Sequence, residues 1–293
     1  MLKIIKILYL LVNSVIIIAL LSIHFVLKES SYQNSLLFYT FPLPVIIFIG
    51  LFLTLFLSKK IRKYNLIVLA ILMIIWLGRS FKIHFPENIV ASDLEIVFWN
   101  GARGNDFRMA FEENDGIPDV MVLSEINDED IIGLRDEYSG LYFYKNQREL
   151  MIFSQTPLSI KLDTVSSFST SVVYFETANT EFYAVDVSGS TDVPRAWELG
   201  FVNSIIKKQT NTIILGDFNV PFESKFLDSI KNNFNHAFNE KGNGFRETWF
   251  WNIPLLSLDH IWVSKDLKVL KTEKIGTFKS DHNMLKTFIK KTE

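Results

Sequence analysis

The chain has no cysteine, which excludes disulfides and thiolate metal sites and leaves any metal chemistry to oxygen and nitrogen donors. This absence fits either side of a membrane. Proline and glycine are scarce, 8 and 13 of 293 residues, and no low-complexity linker or internal repeat is visible. Acidic residues are almost missing from the front of the chain. Residues 1–83 hold only Glu29 of the 32 Asp+Glu, against 9 of the 30 Lys+Arg. The remaining 21 basic and 31 acidic residues give 84–293 a formal charge near −10. The overall −2 therefore averages two different objects, a membrane anchor over 1–83 and a water-exposed domain over 84–293.

Long apolar runs fill the first object. Residues 4–27 and 36–57 each match the roughly 20 residues needed to cross about 30 Å of hydrocarbon. A third run, 64–81, has a shorter apolar centre flanked by Tyr64 and Phe81, aromatic residues suited to the interfaces. Pro42 and Pro44 lie near the start of the second run, where helix breakers do least harm. The first run is too long for a signal peptide and no small-residue cleavage pattern follows it. The link "SKKIRK" (58–63) carries four positive charges, which places it in the cytoplasm. Three spans then put 84–293 outside the cytoplasm. Polar residues within these runs are too few for a transporter.

Past Pro86 the pattern changes to short runs rich in Val, Ile and aromatics: "LEIVFW" (94–99), "DVMVLS" (119–124), "ELMIF" (149–153), "SVVYF" (171–175), "FYAVDV" (182–187), "TIILG" (212–216) and "LDHIWV" (258–263). These read as strands, and residues 197–209 and 225–233 have helical spacing. The mixture predicts an α/β (α+β) domain of about 200 residues, with packed sheets covered by helices. Polar residues punctuate the strand ends: Asn100, Glu125, Asp217 and Asn219, Asp259, Asp281 and His282. Taken singly, "GD" after a strand is a turn signal, Asn100-Gly101 is another, and a lone histidine is more often structural than catalytic. Gathered at one sheet edge, the set has a chemical use. Hard cations such as Mg²⁺ take oxygen ligands, and phosphoester cleavage needs charge neutralisation, a positioned water and a proton carrier.

In their order and spacing, "FWN", "PDVMVLSE", "LGDFN", "LDHIWVS" and "SDH" resemble the endonuclease/exonuclease/phosphatase (DNase I-like) superfamily across nearly all of 94–289. "ELMIFSQTPL" is similar to the family's strand ending in a Ser-x-x-Pro turn, and "FRETWFWNIPLLSLDHIWVS" resembles membrane-anchored bacterial members. The resemblance implies a four-layer α/β/β/α sandwich with two mixed sheets, and a phosphoester hydrolase using Mg²⁺ or Mn²⁺. It implies Glu125 as principal metal ligand with Asn100 beside it and Asp281 as a further ligand. Asp217 would act on the attacking water, Asn219 on the phosphate oxygens, and His282 on the scissile phosphate with Asp259 holding its ring. Ser188 stands where the family often has a phosphate-contacting histidine and some branches a tyrosine. Arg195 is a substitute cation, and Trp249 and Trp251 are candidates for stacking on substrate, with aromatic packing as the plainer reading. His260, His236 and His84 read as packing or surface residues.

The expected partners are a phosphoester, from nucleic acid or a lipid head group, and the bilayer itself; no protein partner is inferable. The charge near −10 lacks the basic footprint of a nucleic-acid binder. Nuclease-like phosphodiester hydrolysis therefore stands beside a phospholipid or sphingomyelin phosphodiesterase or phosphatase of the same fold, and beside a non-catalytic membrane-anchored binding protein. The expected location is a bacterial inner membrane with the catalytic domain extracytoplasmic.

Overall fold

The computed structural model describes residues 2–126 and 131–290. The chain divides into two compact units, Met1–Phe81 and Lys82–Glu293.

In the first unit, α1 (Leu2–Leu21) runs on through a π-helical turn, Ser22–Leu27, as one apolar helix. The expected second span is not straight. It is split into α2 (Tyr32–Thr40) and α3 (Leu43–Thr54), bent by 64°. The reason is local: a residue before proline is pushed out of the helical region, and Pro42 has no N–H to give. Phe41 accordingly leaves the helix at φ −117°, ψ 62°. The third helix, α4 (Lys59–Ser80), starts a turn before the expected 64 because the basic link is itself helical. By length and composition two helices are able to cross a membrane, or three if the bent pair counts as one span. A few polar side chains inside this unit bind one another: Asn65 Nδ2 donates to Thr54 Oγ1 at 3.0 Å and Tyr9 OH to the Leu53 carbonyl at 2.7 Å. Such bonds glue apolar helices together where water is absent.

The second unit holds two six-stranded sheets. Numbered in chain order, the strands of the first are β1 (Leu94–Asn100), β2 (Val120–Ser124), β3 (Tyr142–Lys145), β4 (Met151–Ser154), β11 (Val269–Ile275) and β12 (Met284–Ile289). Those of the second are β5 (Ser159–Val165), β6 (Ser171–Thr177), β7 (Thr180–Asp186), β8 (Thr212–Asp217), β9 (Phe234–His236) and β10 (Asp259–Ser264). Their orders are β11-β12-β1-β2-β4-β3 and β9-β10-β8-β7-β6-β5. In each sheet the third and fourth strands are parallel and every other pairing is antiparallel. The two sheets thus repeat one pattern of strand directions.

Alternation along the strands builds the core. Ile96, Phe98, Val120, Val122 and Ile152 of the first sheet share one buried cluster with Val173, Phe175, Phe182, Leu215 and Ile261 of the second. The other face of the first sheet, Val97, Trp99, Met121, Leu123 and Phe153, packs with Phe107, Ala110 and Phe111 of α5 (Phe107–Glu113) and with Leu134 of α6 (Ile131–Glu137). A strand buried on both faces reads as a continuous apolar run, and the "IVFW" of β1 is one. Beside the second sheet, α7 (Arg195–Ile205) buries Leu199 and Val202, and α8 (Asp228–Asn233) buries Ile230. The layers are helix, sheet, sheet, helix, as the resemblance implied. Strands β5 and β11 carry no apolar run in the sequence because they lie at sheet edges and alternate charged with apolar residues.

Two buried histidines join β9 to β10. His260 and His236, both expected to be structural, lie with Nδ1 and Nε2 3.0 Å apart, while His260 Nε2 is 3.1 Å from the Val220 carbonyl. The Asn239 N–H donates to His236 Nδ1 at 3.3 Å. This fixes both rings neutral and Nε2-protonated, since each Nδ1 must accept. Burial first, and then the second ring and the charge of Arg246, lower His236 well below the ordinary value; burial lowers His260 to about 4, opposed by its bond to Val220. Unfolding releases imidazoles that protonate near 6.5, so the unfolded chain binds more protons below that pH and stability falls as pH drops towards 4. The expected loss is up to about 3 kcal/mol for His260. Chemical denaturation of wild type and His260→Gln between pH 7.5 and 4.5 checks this: the variant's pH slope should be flatter.

Candidate active site

The repeated strand pattern sends three polar positions from each sheet to one end of the sandwich. The third strands end in Asn100 and Asp217, and the fourth lead into Glu125 and Ser188. The second strands begin next to His282 and at Asp259. Within the second sheet, Asp217 stands opposite both Asp259 and Asp186 in register. Gly216 lets this happen: a Cβ there would lie 1.8 Å from the Val185 carbonyl oxygen, so only glycine permits the close pairing. Glu125 and Asn219 both take left-handed backbone, φ 47° and 50°, the conformation that turns the chain sharply off each strand.

Hydrogen bonds cross between the sheets at this point. Asn100 Nδ2 donates to Asp217 Oδ2 at 3.0 Å and lies 3.4 Å from Glu125 Oε1, while its Oδ1 accepts from the Ala102 N–H at 3.0 Å. Asp217 Oδ1 accepts from the Asn219 N–H at 2.8 Å. Asn219 in turn donates from Nδ2 to the Val187 carbonyl at 2.7 Å. His282 is fixed on three sides. Its Nδ1 meets Asp259 Oδ2 at 2.8 Å, its N–H donates to Ser280 Oγ at 3.0 Å, and its carbonyl accepts from Trp99 Nε1 at 3.1 Å. Ser280 Oγ also donates to the Asn100 carbonyl at 2.8 Å, tying the histidine to β1. Thr248 Oγ1 accepts the Asp259 N–H at 3.2 Å. With Nδ1 committed, Nε2 is the ring nitrogen left for a ligand.

Asp217, Asp259 and His282 are buried, and their ligand atoms lie within 4.8 Å of one another. Burial, then the Asp259 charge, raises the Asp217 carboxyl to about 7 against the opposing pull of His282, Asn219 and Asn100. Burial works against a charged His282, but Asp259, Asp217 and Asp281 outweigh it and push the imidazole up to about 10. An imidazolium has no lone pair to ligate a cation, so this trio suits proton handling. A carboxylate group nearby suits a cation instead. Burial, then the charges of Asp217, Glu125 and Glu149, raises Asp186 well above the carboxylate range, with Arg103 opposing. Arg103 pairs with Glu125 at 3.3 Å and Glu149 at 3.1 Å. Glu125 therefore presents a hard carboxylate donor where negative charge is in excess, with Asn100 beside it, its Nδ2 turned to Glu125 and its Oδ1 to the Ala102 N–H. That donor set fits a divalent cation of the Mg²⁺ or Mn²⁺ type.

Other expected residues are placed differently. Arg195 directs Nη1 to the Ser188 and Ser190 carbonyls at 2.6 and 2.9 Å and Nε to the Asn219 carbonyl at 3.2 Å. It clamps the two loops together, and these donors are spent on backbone rather than offered to a phosphate. Ser188 is held through its N–H, which donates to Thr170 Oγ1 at 3.0 Å. Asp281 Oδ2 accepts from Trp249 Nε1 at 2.9 Å, which places Trp249 against the histidine segment. Asp186, Glu149, Arg103, Thr248 and Ser280 were not expected. The only sequence sign of Asp186 was its place two residues before Ser188; the others are ordinary residue types that the fold gathers.

A twelve-stranded α/β/β/α sandwich with acids, amides and a carboxylate-held histidine at one end is the architecture of a phosphoester hydrolase. The profile of the Endonuclease/Exonuclease/phosphatase family matches residues 99–282, and the chain belongs to that family. Among solved structures, the endonuclease/exonuclease/phosphatase from Bacteroides vulgatus is 15% identical with a TM-score of 0.53, covering 69% of this chain and 100% of its own. A mannosyl-6-phosphatase from Bacteroides thetaiotaomicron is also 15% identical, TM-score 0.52, covering 67% of this chain and 99% of its own. A humanized D. rerio TDP2 is 14% identical, TM-score 0.50, covering 69% and 100%. At these identities the likeness is one of fold. No curated protein sequence matches the chain.

The Asp259 carboxylate is the main support of a charged His282. Asp259→Asn should lower the His282 pKa, because burial is then opposed only by the charges of Asp217 and Asp281. An NMR titration of the imidazole from pH 5 to 11 checks the shift.

Proposed function

We propose that the protein is a divalent-metal-dependent phosphoesterase, carried by its N-terminal helices on a membrane, that hydrolyses a phosphodiester by attack of water. The observation that supports this most directly is Asp217. Its carboxylate is buried, bonded to both Asn100 and Asn219, and poised near neutrality beside a charged His282. A base with a pKa near the working pH is the most effective proton acceptor for a water nucleophile.

Asp217 orients the water and takes its proton as the new P–O bond forms. The Asn219 amide, held by its bond to Val187, steadies the phosphate oxygens. His282 faces the phosphate as an imidazolium with Asp259 behind it, offsets the charge developing on phosphorus oxygens, and hands a proton towards the leaving oxygen as the old P–O bond breaks. Glu125 and Asn100 would hold the divalent ion, which when bound supplies Lewis-acid stabilisation of the phosphoryl oxygens. Ser188 cannot add a cation and the Arg195 donors described above are spent on backbone, so the positive charge at the site comes from His282, the exposed Arg103 and the ion.

Full-length protein in detergent should hydrolyse bis(p-nitrophenyl) phosphate with Mg²⁺ or Mn²⁺ and lose that activity with EDTA. Asp217→Asn and His282→Ala should each lower kcat by at least about 10²-fold, in the range seen when a positioned acid or base is removed. Rates unchanged in both variants would overturn the assignment.

The bent pair α2–α3 governs topology. If it spans, three crossings place 84–293 outside the cytoplasm; if it re-enters, two crossings return it to the N-terminal side. The basic 58–63 link supports the three-span reading. A C-terminal alkaline phosphatase fusion should be active and a green fluorescent protein fusion dark.

A further inference from the structure

An apolar rim adjoins the site and nothing in the mechanism uses it. Trp251, Ile253 and Phe278 expose 42%, 55% and 84% of their surface. They come from two loops that touch. Asn252 Nδ2 donates to the Thr277 carbonyl at 3.3 Å, and a Cβ on Gly276 would lie 2.7 Å from Asn252 Oδ1. The Phe278 loop runs on in the chain to the histidine segment, and the Trp251 loop is bonded to it: the Trp251 N–H donates to the Asp281 carbonyl at 3.0 Å, the Asn283 N–H to the Thr248 carbonyl at 2.8 Å, and Trp249 Nε1 to the Asp281 carboxylate at 2.9 Å. Trp249 also forms a β-bridge with His282. The loops that bear these exposed side chains are therefore held against the His282 segment.

From this we infer that the rim seats in the head-group region of a bilayer, and that the substrate is an amphiphilic phosphoester whose hydrocarbon portion lies against Trp251, Ile253 and Phe278. The inference rests on the phosphoesterase reading above. Tryptophan settles at a lipid–water boundary, and phenylalanine joins it on the apolar face of segments that lie in that boundary. The chain carries its own apolar helices, so lipid is present at high effective concentration on a tether. A nucleic acid is disfavoured by three observations. The unit is near −10; Arg103 and Lys279 are paired with carboxylates; and Ile253 offers no planar face for a base.

Two measurements on the full chain test this. In mixed micelles, hexadecyl and ethyl p-nitrophenyl phosphate present the same leaving group with and without a tail. The expected result is a kcat/KM at least tenfold higher for the hexadecyl diester. The Trp251→Ser/Ile253→Ser/Phe278→Ser variant should lose that preference while hydrolysing the ethyl diester within twofold of wild type. No preference, or a preference the variant retains, overturns the inference. The second readout needs no activity. In nanodiscs of dibrominated phosphatidylcholine, the wild-type minus Trp251→Phe emission should be quenched at least twofold relative to unbrominated discs. An unquenched difference spectrum overturns the rim's docking on lipid, as does protection of Trp251 emission by a single-stranded oligonucleotide. Absence of hydrolysis of both diesters together with quenching would instead count against the phosphoesterase reading and leave lipid docking supported.

Discussion

The contact between Asn100 and Asp217, together with that between His282 and Asp259, holds the two halves of the site together. The first is a single hydrogen bond from the end of one sheet to the end of the other, made where both side chains are buried. A buried carboxylate without such a donor would be expensive. The bond also sets the chemistry, because Asn100 lowers the Asp217 carboxyl that burial and Asp259 raise. The result is a group near neutrality rather than one locked in either state. Remaining features follow from having to place this bond: glycine at 216, left-handed backbone at Glu125 and Asn219, and Ser280 fastening the histidine segment to the same Asn100.

The repeated strand pattern explains why so many polar groups meet. Two sheets with equivalent orders and one parallel pair each present corresponding strand ends at one edge. Each sheet contributes a terminal residue, a following residue and the start of a neighbouring strand. The arrangement crowds Asp186, Asp217, Asp259 and Glu125. The protein answers with three kinds of compensation: an amide from Asn100, a charged His282, and the exposed Arg103. The remaining excess of negative charge suits a divalent cation.

Much of this was legible in the residues. Asn100, Glu125, Asp217, Asn219, Asp259 and His282 each follow or precede an apolar run, and their order resembles one superfamily. The doubly buried strands were legible for the same reason, because burial on both faces leaves an unbroken apolar word. Edge strands β5 and β11 were not, since their charged alternation matches exposed loops as well. Asp186, Glu149 and Ser280 carry no signal of their own; they matter through neighbours far away in the chain. Arg195 was legible as a nearby cation but not in its task, which depends on three carbonyls that only the folded loops bring within reach.

The apolar N-terminal helices show the same division. Their existence is a matter of apolar length, which composition alone determines, and the absence of cysteine determines that any metal is held by oxygen or nitrogen. The bend at Pro42 and the contact of the two apolar loops with the histidine segment belong to tertiary structure. So does the meeting of Asn100 with Asp217. Local chemistry gives a residue its donors, acceptors and charge, whereas which partners remove that charge from water is fixed only when the sheets pack. The sequence by itself therefore determined which oxygen and nitrogen groups were available for phosphoester chemistry, and packing decided which carboxylate and which histidine are buried together and where an apolar rim lies beside them.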